Sequence, residues 1–168
     1  DQQVGRLLRE IDVAGRSGRT IIVVSADHGE ELMAHGHQGH GGNLYEESVH
    51  VPLLIRVPGC PPRRFDQPVT NRSVGPTLGR LTGVDIPGLG LFEQDGPVVV
   101  EAPTGLNTHY KRAIIGPRYK LVVDVPNGGA VLFDLEQDPA ETTAIDDPKA
   151  RAELEAAYQK WLDSPGAR

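Results

Sequence analysis

A run of β-branched residues that follows an amphipathic helix constrains the fold of this chain more than any other feature. Thr20 to Ser25 (TIIVVS) is continuous and largely apolar, which is the pattern of a strand covered on both faces in a parallel sheet. Before this strand, apolar residues recur at helical spacing, so Gln2 to Val13 is predicted to form a helix. Helix, short turn and buried strand indicate half of a βαβ unit, and therefore an α/β fold.

A second strand and a second helix are predicted further along the chain. Val51 to Val57 (VPLLIRV) is an apolar segment that stops at a Pro-Gly pair, and its early proline suits the first residues of a strand. Ser73 has the residue type of an N-cap, and Gly83 has that of a helix end, so a helix is predicted between them.

The C-terminal part of the sequence predicts an antiparallel sheet and a closing helix. Pro148 to Leu162 has helical periodicity, with Leu154, Tyr158 and Leu162 among the residues expected to face inward. We expect two domains, an α/β portion over residues 1–95 and a small antiparallel subdomain with its closing helix over residues 96–168. Turn residues separate the four segments predicted to form the meander: Pro97 to Glu101, Arg112 to Ile115, Tyr119 to Asp124 and Ala130 to Leu135.

Composition and charge exclude several classes of protein. The net charge is −6, and Arg63 and Arg64 form only a small basic spot, so the sequence gives no reason to expect nucleic-acid binding. No apolar run approaches the roughly 20 residues that span a bilayer, and the opening residues lack the apolar centre of a signal peptide. Cys60 is the single cysteine, which excludes an internal disulfide. Because the chain enters an amphipathic segment directly at Asp1, we expect further residues upstream.

The segment after the first strand has the composition of a functional loop. Residues 26–48 contain four of the six histidines and five glycines. Asp27 and His28 follow the carboxyl end of the strand, where ligands gather in open parallel sheets. A carboxylate and an imidazole are suitable metal ligands, and we expect Gly29 to let the backbone turn sharply and aim both side chains. On the tripeptide alone, a turn capped by an Asx hydrogen bond explains these residues better.

The wider context resembles one known family. The stretch TIIVVSADHGEELMAHGHQGHGGNLYEESVHVPLLIRVPG is similar to the metal-binding segment of sulfatases, in the alkaline phosphatase superfamily. The later stretches PVTNRSVGPTLGRLTGV, RYKLVV and LFDLEQDPAET also resemble that family, which therefore covers nearly the whole chain. The resemblance implies the C-terminal part of a mainly parallel, sandwiched sheet of alkaline phosphatase type, followed by a small antiparallel sheet and a C-terminal helix.

The same resemblance implies a metal-dependent hydrolase of sulfate esters. Asp27 and His28 match two of the family's metal ligands. The resemblance makes calcium the expected ion, with manganese or zinc as the alternatives. A histidine ligand shifts the choice slightly away from calcium, which prefers oxygen ligands. The ion would polarise the ester and position the nucleophile. The expected substrate is a small-molecule or carbohydrate sulfate ester, or a phosphate ester in a phosphoryl-transfer relative.

His40 lies at a position where the family often places a lysine that contacts the substrate anion, and where phosphoethanolamine transferases place a histidine. The resemblance therefore implies that His40 is a catalytic residue, which donates to an ester oxygen or protonates the leaving alkoxide. The alternative is a loop histidine bonded to a backbone carbonyl. His35 and His37 match no family position, and we expect them, like His50, to be structural. His109 is a candidate contact in a loop on the substrate side.

Three other charged residues are not expected to take part in the reaction. Lys120 resembles a lysine common before a late strand of the family, and a salt-bridged or solvated side chain is the expected state. Glu46 and Glu47 are expected to brace the loop.

Cys60 begins a literal Cys-x-Pro-x-Arg sequence, the core of the motif whose cysteine becomes the sulfatase nucleophile. In the family that motif lies far upstream of Asp-His-Gly and starts a helix. Here it follows the Pro-Gly end of a predicted strand, and Pro68 a few residues later does not suit a helix. We therefore expect Cys60 to be chemically ordinary. The nucleophile is then expected in a missing N-terminal half of the same enzyme. A non-catalytic module that binds a metal or a partner stays open as an alternative. The family favours a periplasmic or extracellular location.

Overall fold

The computed structural model describes residues 1–94, 96–103 and 110–164. The residues form two compact units. The first consists of Asp1–Asp27 and Val51–Phe65, and the second of His28–His50 and the residues from Asp66 onward. None of the helices in the described ranges is both long and apolar enough to span a bilayer.

The first unit contains one helix and a two-stranded sheet. Helix α1 (Gln2–Val13) has the predicted bounds. Strand β1 (Ile22–Ser25) pairs antiparallel with a later strand, Leu53–Arg56. The parallel neighbours that we expected for β1 are therefore not present among the described residues. Parallel pairing needs a crossover that returns the chain to the same end of the sheet, whereas residues 26–52 bring it back in the opposite direction.

The apolar side chains of the first unit are left largely uncovered. No residue of α1 is buried. Leu7 is 63% exposed on the helix, and Leu54 is 61% exposed on the second strand. The first unit therefore does not cover β1 on both faces, whereas the sequence predicts that it is covered on both. Exposed apolar surface of this kind marks a contact site.

The second unit begins with a short hairpin and a single helical turn. Strands β2 (Glu31–Leu32) and β3 (Gln38–Gly39) pair antiparallel, and α2 (Glu46–Val49) follows. In chain order the strand of the first unit at Leu53–Arg56 is β4. The expected loop over residues 26–48 thus carries two strands of two residues each and most of α2, and the short strands agree with its glycine content.

Helix α3 (Val74–Thr82) has the predicted ends but a different cap chemistry. Gly83 adopts a left-handed φ of 75°, the conformation that ends many helices. Ser73 occupies the N-cap position, but its side chain makes no capping hydrogen bond. Its hydroxyl instead accepts a hydrogen bond from the Gln94 amide at 2.7 Å.

An antiparallel meander and the last helix form the main core of the second unit. Strands β5 (Val98–Pro103), β6 (Tyr110–Ile115), β7 (Tyr119–Asp124) and β8 (Gly129–Asp134) pair in chain order, as predicted. Helix α4 (Pro148–Leu162) also has the predicted bounds. Its buried residues join apolar side chains of the sheet in one cluster: Ile114, Leu121, Leu132, Ala150 and Leu154.

The amino end of α4 is well specified by sequence. The Asp147 carboxylate accepts from the backbone N–H groups of Lys149 and Ala150, and Pro148 occupies the first turn. The sequence predicts that Leu162 faces inward, but it is 38% exposed in the last turn of the helix.

The α/β fold with a small antiparallel sheet and a C-terminal helix is confirmed. The boundary between residues 95 and 96 stays a prediction.

Candidate functional site

The hairpin β2–β3 brings the two ends of the histidine-rich loop together. Glu31 pairs with Gly39 and Leu32 with Gln38. The turn between the strands closes through a hydrogen bond from the Met33 N–H to the His37 carbonyl, with Met33 at a positive φ of 72°. One step further along the same register, Glu30 lies opposite His40. The fold therefore juxtaposes residues that are ten positions apart.

Three potential ligands meet at this open end of the hairpin. The rings of His28 and His40 stack with centroids 4.0 Å apart. Glu30 Oε2 lies 3.1 Å from Nδ1 of His40. One ligand atom from each of His28, Glu30 and His40 falls within 4.8 Å of the others, and all three residues are exposed. Two imidazoles and a carboxylate suit a borderline divalent cation such as zinc or manganese.

The backbone orients the ring of His28. Nδ1 of His28 lies 2.8 Å from the carbonyl oxygen of Gly29. Since a carbonyl only accepts, Nδ1 carries a hydrogen, and in the neutral ring it is Nε2 that has the lone pair with which a metal ion is bound. Asp27 is exposed and belongs to the first unit. Its pairing with His28 as metal ligands therefore stays a prediction.

Gly29 is required for a different reason from the one we expected. It does not adopt a positive φ, so a sharp turn is not what needs glycine. A Cβ at this position would lie 2.0 Å from the carbonyl oxygen of Glu47 and 3.4 Å from Cα of Ser48. The hydrogen bond from the Gly29 N–H to the Ser48 carbonyl, at 2.8 Å, holds the two segments at this distance. Close backbone contact with α2 is what excludes a side chain.

We expect Gly29→Ala to destabilise the complete protein by about 1–3 kcal/mol, since backbone atoms must move to admit the new methyl group. Gly42→Ala is the matched control, because a Cβ there meets no atom within 4 Å and its φ is not positive. Denaturant unfolding of both variants measures the difference. Equal stability of the two would contradict the close contact at Gly29.

A buried cluster of charges braces the loop from behind. Lys120 is fully buried, and its Nζ lies 2.8 Å from Oε1 of Glu141 and 3.0 Å from Oε1 of Glu46. Oε2 of Glu141 accepts from the N–H of Glu46 at 2.5 Å. His50 approaches Oε2 of Glu46 at 3.0 Å. The structure thus confirms Lys120 as salt-bridged and Glu46 as a bracing residue. The side chain of His50 is 77% exposed, and its structural role stays a prediction.

His35 is the second brace, and its geometry defines its charge. Nδ1 lies 2.9 Å from Oε1 of Glu47, and Nε2 lies 2.9 Å from the carbonyl oxygen of Ala140. Both partners are acceptors, so both ring nitrogens must donate, which only the imidazolium can do. The ring also stacks on Tyr45 with centroids 3.6 Å apart, an arrangement that favours a cation over the aromatic face.

The same contacts shift the pKa of His35. Burial alone would lower this pKa, but the hydrogen bonds to Glu47 and Ala140 and the charge of Glu47 raise it above its ordinary value. A raised folded-state pKa adds stability that is complete below the unfolded pKa of about 6.5 and is lost as the pH rises through the folded pKa. His35 is therefore a pH-sensitive brace of the loop.

We expect the melting temperature of the complete protein to exceed that of the His35→Gln variant most at about pH 6, with the difference shrinking as the pH rises to about 9. Melting curves at several pH values provide the measurement. In a Glu47→Gln background the pH-dependent part of the difference should be smaller. A difference that is constant with pH would contradict a charged His35.

A buried carboxylate completes the scaffold beneath the hairpin. Glu31 is 2% exposed and accepts from Asn43 Nδ2 at 3.1 Å and from the Ser48 hydroxyl at 3.3 Å. Lys111 Nζ donates to Oδ1 of Asn43 at 2.6 Å. These hydrogen bonds connect the hairpin to α2 and β6.

The remaining sequence candidates take minor places. His37 contributes its carbonyl oxygen to the hairpin turn. Cys60 is exposed and lies in the turn that follows β4, not at the start of a helix. His109 lies outside the described residues. Glu30 was not predicted as a site residue, and the only sequence signal for it was its place in the Asp-His-Gly-Glu stretch.

Comparison with known proteins identifies the family. The sulfatase family model matches residues 1–84, half of the chain. Choline-sulfatase of Rhizobium meliloti is 30% identical over 160 residues, which cover 86% of this chain and 30% of that relative. The structure of a 2-O GAG sulfatase superposes with a TM-score of 0.79 at 24% identity, covering 96% of this chain and 39% of that one.

A further structural neighbour acts on a different ester. Phosphonate monoester hydrolase SpPMH from Silicibacter pomeroyi has a TM-score of 0.78 at 24% identity, covering 96% of this chain and 37% of that one. The chain thus spans between 30% and 39% of the length of these three proteins. The sulfatase family model matches half of the chain, including His28, Glu30 and His40, and choline-sulfatase is 30% identical to it over 86% of the chain's length. The chain therefore belongs to the sulfatase family.

Proposed function

We propose that this chain is the C-terminal part of a metal-dependent hydrolase that cleaves sulfate esters. The observation that carries the proposal is the sulfatase match over residues 1–84, since this segment includes Asp27, His28 and His40. The close approach of His28 and His40 supports it, because an expected metal ligand and an expected substrate contact then face one small region.

In this proposal Asp27 and His28 hold a divalent cation, and the cation, when bound, supplies Lewis-acid stabilisation of the ester's non-bridging oxygens. Calcium is the ion that the family favours. The nitrogen donor of His28 also suits manganese or zinc.

His40 is proposed to touch the substrate. Its Nδ1 is engaged by Glu30, so Nε2 of the imidazolium, in which both ring nitrogens carry a hydrogen, is the atom proposed to donate to an ester oxygen or to protonate the departing alkoxide. His40 is 52% exposed, and an incoming ester can therefore reach the ring without a rearrangement of the hairpin.

The nucleophile is proposed to come from another part of the complete enzyme. Two observations support this. The chain covers 30% of its choline-sulfatase relative, and apolar side chains such as Leu7 and Leu54 in the first unit remain exposed. We propose that the N-terminal part of the enzyme covers this apolar surface and completes the site.

The proposed substrates are small-molecule or carbohydrate sulfate esters, since the relatives include a choline-sulfatase and a GAG sulfatase. Periplasmic or extracellular location is proposed on the same family grounds. A phosphate or phosphonate monoester is the second candidate. It is favoured by the histidine at position 40, a residue that resembles the phosphoryl-transfer members.

The test is turnover of matched aryl sulfate and aryl phosphonate monoesters by the complete protein, before and after chelation. We expect metal-dependent hydrolysis, with the higher kcat/KM for the sulfate. Residues 1–168 alone should turn over neither ester, because a nucleophile is absent from the proposed site. Preference for the phosphonate would select the second candidate, and binding of metal without turnover of either ester would favour a non-catalytic module.

A further inference from the structure

We infer that Glu30 is a positioning residue for His40: it fixes the ring so that Nε2, and not Nδ1, meets the substrate ester. The inference rests on the proposed function, since it takes His40 as the group that contacts the ester.

The hydrogen bond between these side chains selects one tautomer. Glu30 Oε2 and His40 Nδ1 are 3.1 Å apart. An ionised carboxylate only accepts, so Nδ1 must carry a hydrogen in the neutral ring and in the imidazolium alike. The imidazolium carries its second hydrogen on Nε2, which is therefore the atom left to donate to the ester. Carboxylate–histidine pairs set ring orientation in this way where the far nitrogen binds a metal or a substrate.

The backbone makes this pairing a consequence of register. Glu31 pairs with Gly39 in the hairpin, so the next position on each strand places Glu30 opposite His40. Side chains in directly opposite positions of an antiparallel pair lie within contact distance. The N–H of Glu30 also donates to the Glu47 carbonyl at 2.9 Å, which anchors the carboxylate's own backbone.

A second contact limits rotation of the ring about its hydrogen bond. His28 stacks on His40 with an interplanar angle of 25°. The hydrogen bond acts in the plane of the His40 ring, whereas the stacking acts on its face. Together they define both the tautomer and the ring plane.

Exposure separates a positioning role from a stabilising one. The side chains of His40 and Glu30 are 52% and 48% exposed, and exposed ion pairs add little to stability. Removing Glu30 should thus leave the melting temperature nearly unchanged while it lowers activity. If Glu30 had only a structural role, its removal would lower the melting temperature and leave the activity nearly unchanged.

The experiment uses the complete enzyme with Glu30→Ala, His40→Ala and the double variant. We expect Glu30→Ala to lower kcat/KM about tenfold and to cause no further loss in the His40→Ala background. Glu155→Ala is the matched control, since Glu155 is 52% exposed and pairs with Arg151 on α4. It removes the same charge and should leave kcat/KM unchanged.

Two readouts do not need turnover. Long-range ¹H–¹⁵N spectra, with the His40 signals identified by their loss in His40→Ala, should show hydrogen on Nδ1 in the unsubstituted enzyme at alkaline pH and on Nε2 in Glu30→Ala. Metal content should be the same in both.

Four results would overturn the inference. Three concern Glu30→Ala alone: the same His40 tautomer as in the unsubstituted enzyme, the same kcat/KM, or loss of bound metal, which would make Glu30 a ligand. The fourth is that adding Glu30→Ala to His40→Ala lowers kcat/KM as much as Glu30→Ala does by itself. If no ester is hydrolysed by the unsubstituted enzyme, the proposed function fails, while the tautomer still decides whether Glu30 orients His40.

Discussion

Replacing Lys120 with methionine should lower the free energy of unfolding of the complete protein by about 3–5 kcal/mol, the cost of leaving buried carboxylates without their cation. The side chains of Lys120 and Glu141 are fully buried, and that of Glu46 is 21% exposed. Without the ammonium group, two carboxylates would face each other in a region of low dielectric constant. Denaturant unfolding is the measurement.

The controls separate this buried cluster from the general loss of a lysine. Lys149→Met removes an 89% exposed lysine whose contact with Glu153 is 3.9 Å long, and it should change stability by less than about 1 kcal/mol. Adding Glu141→Gln to Lys120→Met should recover part of the loss, because one of the unpaired charges is removed. Equal effects of Lys120→Met and Lys149→Met would contradict the structural role of the cluster.

Replacing His40 with alanine should lower kcat/KM of the complete enzyme by on the order of a hundredfold or more, the range for losing one charge-stabilising donor or general acid. Lysine at the same position should retain much of the activity if the ring serves as a donor to the ester anion. Loss with both replacements would indicate proton transfer instead. Steady-state kinetics on an aryl sulfate distinguish these outcomes.

His37→Ala is the control for this series, since His37 lies in the same loop and contributes its backbone carbonyl to the turn. It should keep nearly the full rate. An unchanged rate in His40→Ala would remove His40 from the site and leave it as an ordinary loop histidine.

Local signals in the sequence were sufficient for most secondary structure. The bounds of α4 were predictable because an N-cap aspartate and Pro148 mark its start. The meander was predictable because short alternating segments are joined by turn residues such as Asn127-Gly128. The pairing of β1 was not, since a continuous apolar run indicates a buried strand without specifying its neighbour or direction.

The candidate site depended on contacts that sequence does not encode locally. Lys120 could be expected to form a salt bridge, but its complete burial between Glu46 and Glu141 brings together residues from three separate segments. The opposition of Glu30 and His40 follows from a hairpin turn that passes through a positive φ at Met33. Methionine is not a residue that signals such a turn, so the register could not be predicted.

The role of Gly29 shows the same limit. A glycine after Asp-His suggests a sharp turn, whereas the structure uses it for close contact with the backbone of Glu47 and Ser48. Either use needs glycine, and only the three-dimensional arrangement of α2 distinguishes them.

Metal content of the complete protein tests the proposed metal-dependent site most directly. After dialysis, elemental analysis should find one divalent ion per chain, with most of it lost from Asp27→Ala and from His28→Ala. The controls Asp163→Ala and His37→Ala should retain it. An ion content unaffected by the first two substitutions, or no bound ion in the unsubstituted protein supplied with calcium, manganese and zinc, would contradict the proposal.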